Sequence, residues 1–209
     1  MKKIVLVISL LLMSASTKAY AEVTVKVNDN RDGTLTSVFY SNGKEVAQQL
    51  QKRDGSVVKT TGKIPDGIVK EHSGSEKVKG EYHYKKGALN GVSKWYYEDG
   101  TLRVERQYRE SVLDGVTKFY YPSGAISGEY NYKNGKVMGK STLYWGNGKV
   151  KSDDYYRDGK LEGQSKRFYE TGELRFIDTY KNGERIARKA YTRAGSPLDE
   201  QRATSREEK

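Results

Sequence analysis

The first residues to weigh for chemistry are His72, His83, the adjacent pair Asp153 and Asp154, and the 22 glycines. His83 stands between Tyr82 and Tyr84 and would need an oriented partner to act as a general base. It occupies a position filled elsewhere by Gln107, Asn131, Tyr155 and Thr179, which reads as a plain polar strand site. Asp153 and Asp154 are neighbours on a strand-like run, so their side chains point to opposite faces and form no dyad. No glycine run ends in Lys-Ser or Lys-Thr, so there is no phosphate-binding loop. With no cysteine and only two histidines, thiol nucleophiles and zinc sites are excluded. The expectation is a protein that is not an enzyme, with no metal and no cofactor.

The elements that carry these residues repeat every 24 positions. Gly91, Gly115, Gly139 and Gly163 share that spacing, as do Gly100, Gly124, Gly148 and Gly172. Tyr84, Tyr108, Tyr132, Tyr156 and Tyr180 form a third series, and Tyr96, Tyr120, Tyr144 and Phe168 a fourth. Units therefore run over 64–87, 88–111, 112–135, 136–159 and 160–183, with His72 and Glu76 in the aromatic and glycine columns of the first. A fixed period of this length marks a repeat architecture. Each unit holds two turns, of which Asp99-Gly100 and Asn134-Gly135 are examples, separated by runs of Tyr, Val, Phe and Thr. Such dipeptides accept positive φ, and such runs suit strands. The fold class is thus all-β: an elongated antiparallel meander of 24-residue hairpins in a single-layer twisted sheet.

If both turns are two-residue loops, side-chain parity is kept across them. One face then collects Leu89, Trp95, Tyr97, Leu102, Val104, Tyr108, Leu113, Phe119, Tyr121, Ile126, Leu143, Trp145, Val150, Tyr169 and Leu174. The other carries Lys94, Lys118, Lys166, Arg103, Lys151, Glu105, Glu129 and Asp153, with Tyr96, Tyr120, Tyr144 and Phe168 as its regular aromatics. No helix is available to cover the aromatic face. It must curl on itself, pair with another copy, or meet a partner. Tyrosine and tryptophan dominate interface hot spots. The candidate partner-binding residues are therefore Tyr96, Tyr120, Tyr144, Phe168, Trp95, Tyr97, Phe119, Tyr121, Trp145 and Tyr169, and the candidate basic surface is Lys94, Lys118, Lys166, Arg103 and Lys151.

The ends read differently. Residues 1–21 have the form of a signal peptide: Lys2 and Lys3, the apolar run Ile4–Met13, and Ala19-Tyr20-Ala21 as a small-x-small cleavage site. Cleavage after Ala21 would remove Lys2, Lys3 and Lys18 from a net charge of +11. The expected location is periplasmic or secreted, and the periplasm suits an exported chain without disulfides. Residues 22–63 are expected to form a divergent N-terminal β cap. In it, Phe39-Tyr40-Ser41-Asn42-Gly43 looks like the aromatic turn of the repeats. The array spans 64–191, and 192–209 is expected to be a disordered tail.

Gly128 to Tyr144 resembles a MORN repeat (membrane occupation and recognition nexus). Tyr132 stands at that family's aromatic, and Gly135 and Gly139 at its glycines. Ser93, Thr117, Ser141 and Ser165 replace the family's next glycine. That departure, with Tyr96-Tyr97-Glu98-Asp99-Gly100-Thr101-Leu102, is similar to the bacterial MORN-variant branch. The resemblance implies an interaction scaffold without its own catalysis. Many bacterial members are antitoxins or immunity partners of toxins, so an exported member would neutralise a toxic effector by covering it. The alternative is an envelope-binding module that docks on anionic phospholipid or cell-wall polymer through its Lys and Arg columns. A homodimer that buries aromatic faces is a third reading. Nucleic acid is a poor partner for an exported chain.

Overall fold

The computed structural model describes residues 22–54, 56–74 and 76–198. The signal-peptide reading of 1–21 and most of the tail reading fall outside these residues. The described chain forms nineteen strands in one sheet. The N-terminal four are β1 (Val23–Asp29), β2 (Thr34–Ser41), β3 (Lys44–Lys52) and β4 (Val57–Gly62). Then follow β5 (Gly67–His72), β6 (Val78–Lys85), β7 (Ala88–Leu89), β8 (Gly91–Tyr96), β9 (Leu102–Arg109) and β10 (Val112–Tyr120). The rest are β11 (Ile126–Lys133), β12 (Lys136–Val137), β13 (Gly139–Tyr144), β14 (Val150–Arg157), β15 (Lys160–Leu161), β16 (Gly163–Phe168), β17 (Leu174–Lys181), β18 (Glu184–Tyr191) and β19 (Pro197–Leu198).

From β5 onward successive long strands pair antiparallel, as the 24-residue period requires; the short β7, β12 and β15 pair with β6, β11 and β14, the same partners as β8, β13 and β16. The two turns of a unit are of different kinds. At Asn134-Gly135 both residues have positive φ, 48° and 78°, and Lys133 pairs with Lys136. This is the two-residue hairpin that the dipeptide favours. The aromatic turn is not. There Gly100 N–H donates to Tyr97 O at 2.9 Å, Tyr97 N–H donates to Thr101 O at 2.8 Å, and Tyr96 pairs with Leu102. The loop is therefore three residues long, with Gly100 at the left-handed position.

A bulge follows in every unit. The register steps from Trp95↔Val104 to Tyr96↔Leu102, so Arg103 is an extra residue. The same step recurs after Phe119, Leu143 and Arg167. It corrects the face assignment. Leu102, Ile126, Val150 and Leu174 pair with Tyr96, Tyr120, Tyr144 and Phe168, and so leave the face of Trp95. A one-residue slip moves side chains to the other side of a sheet. The cap differs too: Asn42 and Gly43 both have positive φ, 51° and 74°, so this turn is of the two-residue kind.

The cap joins the array through the parallel pairing of β1 with β5, Val23↔Val69 to Val25↔Glu71. The order is thus β4-β3-β2-β1-β5-β6, yet only residues 63–66 link β4 to β5. The sheet must roll up for so short a link to close. Ile64, in that link, is 2% exposed and packs with Val23, Val25, Phe39, Ala47, Val69 and Tyr84. Phe39 meets Tyr84 edge-on at 5.3 Å between centroids. Gly62 lets the end of β4 lie close on β3, because a Cβ there would run into the Val46 carbonyl. Full burial of each such apolar side chain is worth about 1.5–3 kcal/mol. Within the later repeats the fully buried side chains are Ser93, Thr117, Ser152 and Ser165, so the core lies at the cap end.

The array also runs past residue 191. Thr192 N–H donates to Ser196 O and Gly195 N–H to Thr192 O, which reproduces the aromatic turn, and Tyr191 pairs with Pro197. Residues 192–198 are therefore a further ordered turn and not tail.

Candidate binding surface

The ten aromatic candidates separate into three groups. Tyr96, Tyr120 and Tyr144 lie on the outer face, and each hydroxyl donates to a glutamate of the preceding unit. The acceptors are Glu81 at 2.9 Å, Glu105 at 2.9 Å and Glu129 at 3.4 Å. Desolvation first, then the hydrogen bond to carboxylate, pushes Tyr96 and Tyr120 up to about 12 and raises Tyr144 in the same direction. Phe168 continues this rail without a hydroxyl. The corresponding acceptor, Asp153, instead takes Thr142 Oγ1 at 2.7 Å and Lys140 at 3.1 Å.

The second group stitches neighbouring units together. Tyr97 donates to Tyr120 O and Tyr121 to Tyr144 O, both at 2.7 Å, and Tyr169 donates to Tyr191 O at 3.2 Å. Trp145 holds the same column, but its Nε1 is buried without a hydrogen-bond partner.

Trp95 and Phe119 form the third group, on the inner face. Tyr82 meets Trp95 edge-on at 5.5 Å, and Arg106 lies over the Trp95 ring at 5.2 Å. Tyr130 meets Phe119 edge-on at 5.8 Å. The inner face is not uniformly aromatic. A further column holds Tyr82, Arg106, Tyr130, Asp154 and Asp178, set opposite Val69, Ser93, Thr117, Ser141 and Ser165. Asp154 accepts from Ser165 Oγ and, at 2.6 Å, from Arg167. Asp178 is held by Arg188 at 2.7 Å. This column keeps the 24-residue period. Its chemistry changes from unit to unit, and a search for one residue type overlooks it.

Two of the five basic candidates are paired with acids. Lys94 bridges Glu105 at 3.6 Å and Lys118 bridges Glu129 at 3.5 Å. Lys151 stands over the Trp145 ring at 4.6 Å. Lys166 is set opposite Ile177, and Arg103 is the exposed bulge residue. Glu105 and Glu129 thus offset Lys94 and Lys118 locally. Among the described residues no cluster of three or more His, Cys, Asp or Glu is placed to hold a metal.

Where the cap rolls over the first two units, its inner face and theirs line a half-open cavity of about 1140 Å³. Glu71 lies in its wall, 7% exposed, with Tyr82 Oη donating to it at 2.5 Å and Lys79 at 2.8 Å. Burial, reinforced by that carboxylate, pushes Tyr82 up, and burial, with the Tyr108 phenol nearby, does the same for Tyr84. Of these first-unit residues Tyr84 stands in a 24-residue tyrosine series, whereas Glu71 falls in the column of Trp95, Phe119 and Leu143 and so is not legible as a site from the repeat.

Comparison with known proteins bears on three of the repeats. Residues 89–110, 113–134 and 161–182 match the family model described as "MORN repeat variant". A search of curated proteins returns no match. Among solved structures, the chain is similar to the S. aureus TarM crystal structure and to a TarM mutant in complex with fondaparinux, alpha-GlcNAc-glycerol and UDP. Each shows 15% identity and a TM-score of 0.32, over 46% of this chain and 19% of that one. It is also similar to a GtfA/B complex bound to UDP and GlcNAc, at 16% identity and a TM-score of 0.23, over 51% of this chain and 21% of that one. The chain spans about a fifth of the length of these structures. The hairpin units of this sheet are thus, in three matched stretches, repeats of the MORN-variant type.

Proposed function

We propose that the chain is a non-enzymatic, exported scaffold that binds a partner protein, and specifically an immunity protein that covers a toxic effector in the periplasm. The observation that carries the binding role is the open inner face of units 112–159. Phe119, Tyr130, Leu143 and Tyr156 lie side by side there, half-buried, with no second layer over them among the described residues. An aromatic-centred patch with a polar rim is the composition of a protein interface. The pairing of Lys94 and Lys118 with glutamates weighs against docking on an anionic surface. The immunity role extends the family resemblance, and its test is genetic. Cells that lack the gene should become sensitive to a toxic product encoded beside it, and the purified protein should co-elute with that product. A deletion strain unharmed by every neighbouring gene product refutes the immunity role. Phe119→Ala with Tyr130→Ala should abolish co-elution while the sheet stays folded.

A further inference from the structure

The interior of the rolled cap changes character along its axis, and the strand registers show how. Three rows of inward residues cross β1 to β4. The deepest is Val25, Phe39, Ala47 and Gly62, which is apolar and tightly closed. The next is Val27, Ser37, Gln49 and Thr60. The third, at the mouth, is Asp29, Leu35, Gln51 and Val57. A rolled sheet built only for stability would continue the apolar row outward. Instead the polar residues Ser37 and Gln49, each 4% exposed, border the cavity, and Gln49 Nε2 donates to Thr60 Oγ1 at 3.2 Å. Across the space stand the rings of Tyr82, Trp95 and Tyr108.

We propose that this cavity binds an uncharged saccharide. One wall offers apolar ring surface, that of Tyr108 and the parts of Tyr82 and Trp95 left uncovered by their mutual contact and by Arg106, against which the C–H face of a pyranose can rest. The opposite wall offers uncharged donors and acceptors for its hydroxyls. A concave site in which polar groups are set beside apolar surface is a usual form of a small-ligand pocket, and the mouth of a rolled sheet is a usual place for one.

Charge selects against ionic ligands. Asp29, Asp54, Glu71 and Glu110 in the lining are matched in number by Arg53, Lys79, Lys86 and Arg106. Two of these pairs are closed, Arg53 to Asp29 at 2.7 Å and Lys79 to Glu71 at 2.8 Å. No excess of either sign is left for a phosphate, a polyanion or a cation. An extended peptide could add along the free edge of β4, which borders the cavity at Val57 and Thr60, but would leave the inward side-chain rows unused. The site is separate from the patch around Phe119 and Tyr130 and stands or falls independently of the partner-protein reading.

Trp95 gives the experiment its probe. In the full chain carrying Trp145→Tyr, Trp95 is the remaining tryptophan. Its fluorescence is followed during titration with maltotetraose, cellotetraose and the N-acetylglucosamine tetramer, each to about 10 mM. The expected result is a saturable spectral shift with at least one tetrasaccharide. Gln49→Leu, which keeps the volume and removes the amide, should weaken that binding about tenfold, the worth of one hydrogen bond of about 1.4 kcal/mol. Its far-ultraviolet spectrum should stay unchanged. Two results overturn the proposal: no saturable change with any of the three sugars, or equal affinity in a folded Gln49→Leu protein. Saturation by an alanine tetrapeptide but by no sugar also overturns it and assigns the cavity to a peptide.

Discussion

The hydroxyl of Tyr97 donates to the main-chain carbonyl of Tyr120 at 2.7 Å, one repeat further along the chain. Tyr121 repeats the contact on Tyr144. These bonds tie the aromatic end of one hairpin to the next, in an array whose later units bury no large side chain completely. Stability in such a stack is a sum of unit and nearest-neighbour terms. Tyr97→Phe removes one bond and little apolar area. It should cost about 1 kcal/mol and lower the melting temperature by roughly 2–4 °C. Thermal melting followed by circular dichroism measures it, and an unchanged midpoint would show that the stitch carries no stability.

The outer rail gives the protein an alkaline limit. Tyr96 and Tyr120 are pushed up to about 12, above an ordinary value near 10, by desolvation and by the Glu81 and Glu105 acceptors. The folded state therefore holds these protons more tightly than the unfolded chain. The resulting stabilisation is present in full below about pH 10 and is lost as pH rises through about 12. Lysines titrate in the same interval, so the comparison needs the double variant Tyr96→Phe, Tyr120→Phe. Its melting temperature should fall less steeply between about pH 9 and about pH 12 than that of the parent. Equal slopes would mean that the two phenols ionise alike in both states.

Glu76 stands in the column of Gly100, Gly124, Gly148 and Gly172 and shares their left-handed backbone, with φ of 61°. Its N–H still closes the turn onto Ser73 O at 2.9 Å. A residue with a Cβ pays about 1–2 kcal/mol in this region, which glycine avoids at some cost in unfolded-state entropy. Glu76→Gly should raise the unfolding free energy by about 0.5–1 kcal/mol. Chemical denaturation reads this directly as a higher midpoint at constant slope. A lower midpoint would mean that the glutamate side chain outweighs the strain.

What the sequence reveals here follows from what repeats. Gly100 and Asn134-Gly135 fix turns through φ, so the hairpins, their number and their antiparallel order can be read from spacing. The bulge at Arg103 cannot, because an extra residue that recurs in every unit leaves the period intact while it turns Leu102 to the other face. The turn at Tyr191–Pro197 escapes because Gly195 follows Gly172 by one residue less than the period. The cavity is harder still. Ser37, Gln49 and Thr60 are spaced irregularly along the chain and become one row only through the registers of β2, β3 and β4.

Trp145 is the exception in the stitched column and gives the sharpest test of it. Where Tyr97, Tyr121 and Tyr169 each reach a carbonyl of the following unit, the indole Nε1 of Trp145 is buried with no partner. A buried donor left unsatisfied costs about 1–3 kcal/mol. Tyrosine at this position would direct a hydroxyl toward the main chain near Phe168, as its neighbours do one unit before and after. It would give up some ring area and part of the contact with Lys151, now 4.6 Å from the indole centroid. The hydrogen bond outweighs both losses, because Lys151 is exposed and can rest on a phenol as well. Trp145→Tyr should therefore stabilise the protein by about 1 kcal/mol and raise the melting temperature by roughly 2–4 °C. Trp145→Phe, which removes the donor and supplies no hydroxyl, separates the two contributions. It should recover the desolvation cost alone and melt between the parent and the tyrosine variant. If both variants melt below the parent, the indole packing outweighs its stranded N–H, and the stitching bonds are not what holds neighbouring repeats together.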